Sequence, residues 1–275
     1  MQKFCKGRPC GKLAVVLRDG RKRALPDVAR GVGAAPVAVS GDGTRVAYVR
    51  ARDRAVVAYR LGGGVRVMKG VKQPKEVVGA DATRLVLSRD GRLLAYVTED
   101  LDTRVDVFDT GTGRRVGSSR SGNEEKFFAG FGDDEALVVQ RAGDTFDVLV
   151  TDLRGRVLRR DTPPQVVGFN LPDTEPSDKV AALSPDGRTL ATYVPGEEPG
   201  LAIYDVISKQ IARRIPLQRG YRPAAMTWTG PGEVMLRIGS DRMAGRVRVD
   251  VASGSTEIAD TYAIPRGVHP YHAGG

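Results

Sequence analysis

The stretch RLVLSRDGRLLAYV, residues 84–97, decides the fold. Two runs rich in Val, Leu and Tyr flank Asp90-Gly91, and Asp-Gly suits a tight hairpin turn because its central positions need φ > 0. Alternating apolar runs on either side of such a turn indicate two antiparallel strands. The stretch therefore predicts a β-hairpin.

The same pattern recurs four more times. Two copies keep the Ser-x-Asp-Gly core and two are degenerate: PVAVSGDGTRVAYV (36–49), VAALSPDGRTLATY (180–193), FAGFGDDEALVV (128–139) and MTWTGPGEVML (226–236). The anchors, near residues 40, 88, 132, 184 and 229, lie about 44 to 52 residues apart. Self-similarity at such a period is typical of a repeat architecture.

A second motif recurs along the chain at a similar spacing to the first. It is an alternating strand followed, in all but the first copy, by Asp and then a Gly-rich or polar turn; the strands end at Tyr59, Phe108, Thr151, Tyr204 and Val249. Each period thus holds four short strands, a to d, joined by an a–b turn, a b–c loop and a c–d turn, and a d–a loop leads to the next period. Four strands in about 40–50 residues is typical of a propeller blade.

These motifs resemble the WD40-like β-propeller repeats of bacterial TolB-type and related exported proteins. The residues that carry the resemblance are Ser40, Asp42 and Gly43, Ser88, Asp90 and Gly91, and Ser184, Asp186 and Gly187. It covers about residues 12–261, although no copy has Trp-Asp or the Gly-His of true WD40 repeats. The resemblance implies a fold and leaves the function open.

We therefore expect an all-β protein, a β-propeller of four-stranded blades. Five blades are complete, at residues 34–70, 80–119, 126–160, 179–217 and 223–261. An N-terminal hairpin at residues 12–25, around Asp19-Gly20, is expected to supply an incomplete sixth blade beside the last strands of the chain. The propeller forms a single domain, 12–261, between a basic segment, 1–11, and a tail, 262–275.

The charge is positive and uneven. Lys and Arg number 43 against 33 Asp and Glu, and residues 1–30 alone contribute +7 of the net +10. A nucleic-acid site would interleave aromatics with such a run, but Phe4 is the only one there, so we expect a solvated surface and no nucleic-acid partner. Weak binding to anionic surfaces is the alternative. No apolar run approaches the ~18 residues of a membrane span.

The two cysteines do not decide whether the protein works in an oxidising or a reducing compartment. Cys5 and Cys10 lie close enough for a local disulfide; free thiols, or less plausibly a metal site, are the alternatives. A disulfide would require an oxidising compartment. The first thirty residues lack the apolar core of a signal peptide, which indicates the cytoplasm by default and an extracytoplasmic location if an upstream leader is missing.

A binding site is expected on the longer d–a and b–c loops, because rigid scaffolds usually carry function on their variable loops. The candidates are Arg52, Asp100, Asn170, Glu197, Glu198 and Arg242. Several of these loops are acidic, and solvated loops without a ligand are the alternative interpretation. The carboxylates lack the ordered spacing of a metal loop, so no metal or cofactor is predicted. Trp228, on an innermost strand, is expected in the core.

The function expected from these features is surface recognition. Gly-x-Ser-x-Gly, His-Glu-x-x-His and the phosphate-binding glycine loop are all absent. We expect a monomeric, non-enzymatic scaffold that binds a protein or peptide partner through its d–a and b–c loops. A propeller hydrolase or lyase that uses loop carboxylates is the alternative, and a sensor domain whose partner lies in another chain is a third possibility.

Overall fold

A computed structural model describes most of the chain. The described residues are 2–5, 8–10, 13–17, 21–29, 36–72, 83–98, 104–120, 126–142, 145–164, 180–219, 221, 223–239, 243–264 and 268–269. Side chains are described for all of these except residues 2–5, 8–10, 16, 126, 141–142 and 268–269. Within these ranges all the regular structure is β.

Five four-stranded antiparallel sheets form the propeller, and each is one blade with its strands in sequence order. Blade 1 holds β5 (Val37–Val39), β6 (Arg45–Val49), β7 (Ala55–Arg60) and β8 (Val65–Lys72). Blade 2 holds β9 (Thr83–Leu87), β10 (Leu93–Thr98), β11 (Arg104–Asp109) and β12 (Arg114–Arg120). Blade 3 holds β13 (Lys126–Phe131), β14 (Glu135–Ala142), β15 (Thr145–Asp152) and β16 (Val157–Asp161). Blade 4 holds β17 (Ala181–Leu183), β18 (Thr189–Val194), β19 (Gly200–Asp205) and β20 (Gln210–Pro216), and blade 5 holds β21 (Pro223–Gly230), β22 (Glu233–Gly239), β23 (Met243–Asp250) and β24 (Thr256–Ala263).

The first strands of neighbouring blades contact each other, so strand a is innermost and strand d is outermost in every blade. The all-β propeller expected from the repeats is confirmed, and the five expected blades begin and end within about three residues of the observed ones. Trp228 is 3% exposed and donates a hydrogen bond from Nε1 to the carbonyl of Ala182 at 3.0 Å, which confirms its place in the core.

The expected sixth blade is not confirmed. The N-terminal hairpin, β3 (Ala14–Val16) and β4 (Lys22–Ala24), forms a two-stranded sheet of its own. Its buried Leu13 and Leu25 pack on blade 1, against Val46, Tyr48 and Val57. The two ends of the chain meet in another small sheet, in which β1 (Gln2–Cys5) pairs with β2 (Arg8–Cys10) on one side and with β25 (Val268–His269) on the other.

The Ser-x-Asp-Gly turn satisfies its own backbone. In blade 2, Ser88 Oγ donates to Asp90 Oδ1 at 2.7 Å and accepts the N–H of Leu93 at 2.9 Å. Asp90 Oδ1 also accepts the N–H of Arg92 at 2.9 Å. Gly91 has φ +69°, a left-handed conformation that side chains disfavour. The same bonds recur at Ser40 and Ser184, so the motif that revealed the repeat also forms the turn.

The Asp that follows strand c closes the second turn. Asp109 accepts the N–H of Thr112 at 2.7 Å, Asp205 accepts those of Ile207 and Ser208 at 2.8 Å, and Asp250 accepts that of Ser253 at 2.6 Å. These backbone donors stabilise the ionised carboxylates and lower the pKa of Asp109, Asp205 and Asp250 below the ordinary value of 3.8.

Apolar clusters join each blade to the next. They lie between blades 1 and 2, around Met68 and Phe108, between blades 2 and 3, around Phe128, between blades 3 and 4, around Tyr204, and between blades 4 and 5, around Trp228. Burial of such surface is the main favourable contribution to folding. A fifth cluster is the one between the hairpin and blade 1.

The hairpin should therefore be an essential part of the fold. Deleting residues 1–26 would expose Val46, Tyr48 and Val57 of blade 1 to water. We expect a loss of several kcal/mol, a large part of the ~5–15 kcal/mol that a domain possesses, together with aggregation. A smaller change, Leu25→Ala, should cost about 2–5 kcal/mol in urea unfolding, whereas Lys22→Ala on the exposed strand β4 should cost little. A deletion variant that is monomeric and melts within a few degrees of the full chain would show that the hairpin is an appendage.

Acid should destabilise the turns in a defined pH range. Because the folded pKa values of Asp109, Asp205 and Asp250 lie below 3.8, their contribution to stability is present above about pH 4 and is lost as the pH falls through those values. Replacing all three by Asn keeps an acceptor but removes the titration. We expect urea unfolding of this variant to depend less on pH between 5 and 2 than that of the unaltered protein, while Glu198→Gln, in an exposed loop, leaves the dependence unchanged. Parallel curves for all three proteins would contradict this account.

Candidate functional site

The propeller has two ends of different character. One end, the turn face, is formed by the short a–b turns and c–d turns, such as residues 89–91 and 251–255. The opposite end, the loop face, carries the b–c and d–a loops, of which residues 50–54, 162–164, 195–199, 217–219 and 221 are described. The expected site lies on the loop face.

At the turn face, one arginine links three blades across the axis. Arg89 projects from the a–b turn of blade 2 and donates from Nη1 to the carbonyl of Thr229 in blade 5 at 3.2 Å. Its Nη2 lies 3.9 Å from Asp133 Oδ1 in blade 3. The pocket beside it, lined also by Trp228 and Pro185, has a volume of about 20 Å³, which is enough for roughly one water molecule.

Three of the six expected site residues are described, and they do not meet. Arg52 is exposed in the b–c loop of blade 1, with its Nε 3.8 Å from Asp27 Oδ2. Glu197 and Glu198 are exposed in the b–c loop of blade 4, where Glu197 and Arg219 line an open groove of about 440 Å³. Asp100, Asn170 and Arg242 lie outside the described residues, and so do the side chains of Cys5 and Cys10. Their roles stay predictions.

The b–c loop of blade 1 is held by its own charges. Arg50 donates to Asp53 from Nε at 2.9 Å and from Nη2 at 2.6 Å, and this hydrogen bond is the main reason why the pKa of Asp53 falls to about 2. Beneath the loop, Tyr48 is fully buried and its hydroxyl has no hydrogen-bond partner among the described residues. Burial, followed by the charge of Asp27, raises the pKa of Tyr48 to about 12. The hydroxyl therefore stays protonated at neutral pH.

Buried carboxylates are each neutralised by a cation. Asp106 lies 2.9 Å from Arg104 and 3.3 Å from Arg115, Asp147 lies 2.5 Å from Arg160, and Asp161 lies 3.1 Å from Lys209. Arg115 and Arg160 on strand d thereby pair with carboxylates on strand c of the same blade, whereas Lys209 joins blade 4 to strand d of blade 3. Over the described ranges, no three His, Cys, Asp or Glu side chains are grouped so that they could hold a metal ion. No helix in the described part of the chain has the length and apolar character needed to cross a membrane.

Blade 5 contains an arginine pair to which the sequence motifs do not point. Arg237 on β22 lies directly opposite Arg246 on β23, and the same row continues to Ala225 on β21 and Asp260 on β24. Nε of Arg246 lies 3.0 and 2.9 Å from the two carboxylate oxygens of Asp260. Arg237, only two residues before the end of β22, lies near the loop face. Comparing the five repeat copies position by position would have revealed it, because the other four copies are apolar there.

Comparisons with known proteins agree with the architecture. No protein-family model matches the sequence, and no curated protein is found to match it. Among solved structures, the Agrobacterium tumefaciens protein assigned as TolB superposes with a TM-score of 0.56 at 14% identity, over 88% of this chain and 84% of that one. TolB from Acinetobacter baumannii gives 0.54 at 14% identity over 93% of this chain, which spans only 60% of that protein.

An archaeal propeller is similar to the same degree. The β-propeller domain of the Trilobed protease from Pyrococcus furiosus, described as having an open velcro topology, gives a TM-score of 0.53 at 14% identity, over 96% of this chain and 80% of that one. At such low identity these likenesses concern the fold and not the activity. The chain is thus a β-propeller of the kind found in TolB-type and WD40-like repeat proteins.

Proposed function

We propose that this propeller is a monomeric, non-enzymatic scaffold that binds a protein or peptide partner through its loop face. The observation that supports this most is the contrast between its two ends. On the turn face, the recurring Asp and Ser side chains bond their own turns, and Arg89 reaches from blade 2 to blade 5. The loop face is therefore the surface that we expect a partner to contact.

Three features of the loop face favour recognition of a chain over catalysis. The groove beside Glu197 and Arg219 is open rather than enclosed, which suits an extended ligand better than a reaction that must exclude water. Arg52 and the pair Glu197 and Glu198 place charges of both signs at separate blades, as a mixed polar surface requires. The buried carboxylates that could serve a hydrolase are already paired with cations.

Site-directed photocrosslinking in the native organism tests the proposal. A photoreactive residue at Arg52 or Glu198 should give a discrete adduct, because both side chains are exposed on the loop face. The same residue at Asp134 or Arg188 on the turn face is the matched control, since these side chains are equally open to solvent. The adduct should be suppressed by an excess of unlabelled protein.

Two further measurements sharpen the result. With the captured partner purified, we expect Glu197→Lys combined with Glu198→Lys to weaken binding by about tenfold or more, as charge reversal does at a complementary interface. Adducts that form equally at both faces, or at the turn face only, would overturn the proposal. A captured small substrate that the protein converts, with turnover lost on Glu197→Gln and Glu198→Gln, would instead favour the hydrolase or lyase alternative.

A further inference from the structure

One position of the repeat is hydrophobic in blades 1 to 4 and carries arginine in blade 5. The residue four positions after the start of strand b lies directly opposite a residue of strand c. In blades 1 to 4 these two residues are hydrophobic: Val49 with Val56, Val97 with Val105, Val139 with Val148, and Tyr193 with Leu201. Each of these pairs belongs to the apolar cluster shared with the next blade. In blade 5 the same pair is Arg237 with Arg246.

The arginine pair is unfavourable by itself. Like charges directly opposite each other on a sheet repel, and a desolvated charge costs free energy unless it is paired. Arg246 is neutralised by Asp260, and side-chain hydrogen bonds to Asp260 and Tyr262 keep its pKa high. Arg237 makes no hydrogen bond or ion pair with any described residue. Burial lowers the pKa of Arg237 to about 10, and the charge of Arg246 acts in the same direction.

Arg237 keeps part of its surface exposed, and its described neighbours on the side toward the loop face are small residues. Across the sheet, Ala225 is its neighbour on β21. In the next row on the same side of the sheet, Gly239 lies opposite Ala244, and Tyr262 follows on β24. Repacking with an apolar side chain, as in the other blades, would bury the same surface without an unpaired charge. The retained guanidinium therefore points to a ligand that is absent from the isolated chain.

We propose that Arg237, supported by Arg246, binds a carboxylate of the partner that docks on the loop face. A protein or peptide partner offers carboxylates at its acidic side chains and at its C-terminus. A guanidinium presents two parallel N–H donors to the two oxygens of a carboxylate, which adds geometric specificity to the attraction. This inference rests on the proposed function, because it supplies the chemistry by which the partner is recognised.

Small carboxylates provide a test that needs no identified partner. The Nε–H resonance of Arg237 is followed by NMR in full-length protein, at constant ionic strength, with N-acetyl-glutamate α-amide, N-acetyl-alanine, inorganic phosphate or chloride. We expect a saturable shift with one or both carboxylates. A response to the first compound indicates an acidic side chain as the natural ligand, and a response to the second indicates a chain terminus. Arg237→Met should weaken this binding at least tenfold, while Arg248→Met, which removes a charge already paired with Glu233 and Glu257, should change it less than twofold.

The stability of the variants separates binding from a structural role. Because Arg237 has no partner among the residues that the structure describes, Arg237→Met should raise the urea midpoint of unfolding, whereas a structural arginine would lower it. Shifts that are the same for all four anions, or that persist in Arg237→Met, would overturn the proposal. Saturation by phosphate alone would also overturn it, because the ligand class would be wrong.

The same variant distinguishes the two proposals in the crosslinking experiment. If Arg237→Met leaves the loop-face adduct intact and its binding unchanged, the carboxylate site is not part of partner recognition, and the inference fails while the proposed function stands. If carboxylates bind at Arg237 but the loop face gives no adduct, the proposed function fails. We expect the adduct to form in the unaltered protein and to be lost in Arg237→Met.

Discussion

The ring depends on the a–b turns, where each blade meets the others around the axis. The turn must reverse the chain within four residues, satisfy its own backbone and still leave room for its neighbours. Ser88 and Asp90 meet the first two needs with side-chain hydrogen bonds. The residue between them is then free to contact another blade: the carbonyl of Arg89 accepts the N–H of Asp42 at 2.8 Å. Gly41 shows how tight this packing is, because a Cβ there would lie 3.2 Å from Arg89 Cα and from Thr227 Oγ1. Blade 1 and blade 5 thus meet at the axis.

Arginines extend these contacts around the turn face. Arg45 of blade 1 donates to the carbonyl of Gly91 in blade 2 at 3.2 Å, and Arg92 of blade 2 donates to the carbonyl of Asp133 in blade 3 at 2.8 Å. Arg213 of blade 4 donates to the carbonyl of Ser253 in blade 5 at 2.9 Å. Each guanidinium satisfies a turn carbonyl of the following blade. Part of the positive charge that the sequence shows therefore serves to join neighbouring blades at the turn face.

The fold could be predicted because the residues that specify each turn lie close together in the sequence. Ser40, Asp42 and Gly43 specify a turn through bonds to residues at most five positions away, so a linear pattern is sufficient to find it. The position of the N-terminal hairpin could not be predicted, since Leu13 and Leu25 reach blade 1 through tertiary contacts that no short pattern encodes. Strand direction alone places Arg52 and Glu197 in b–c loops, where the structure has them, and their part in binding stays a prediction. Arg237 was overlooked because a single Arg in a strand carries no signal until it is compared with Val49, Val97 and Val139.

The junction between the last and first blades explains why this departure from the repeat is tolerated in blade 5. In blades 1 to 4 the face toward the next blade is committed to an apolar cluster, and a buried charge there would lack a partner. At the junction, the matching face of blade 1 is covered instead by the hairpin, through Leu13 and Leu25. Among the described residues, Arg237 and Arg246 belong to none of the five apolar clusters, so charged side chains can occupy the two positions on strands b and c that are apolar in blades 1 to 4.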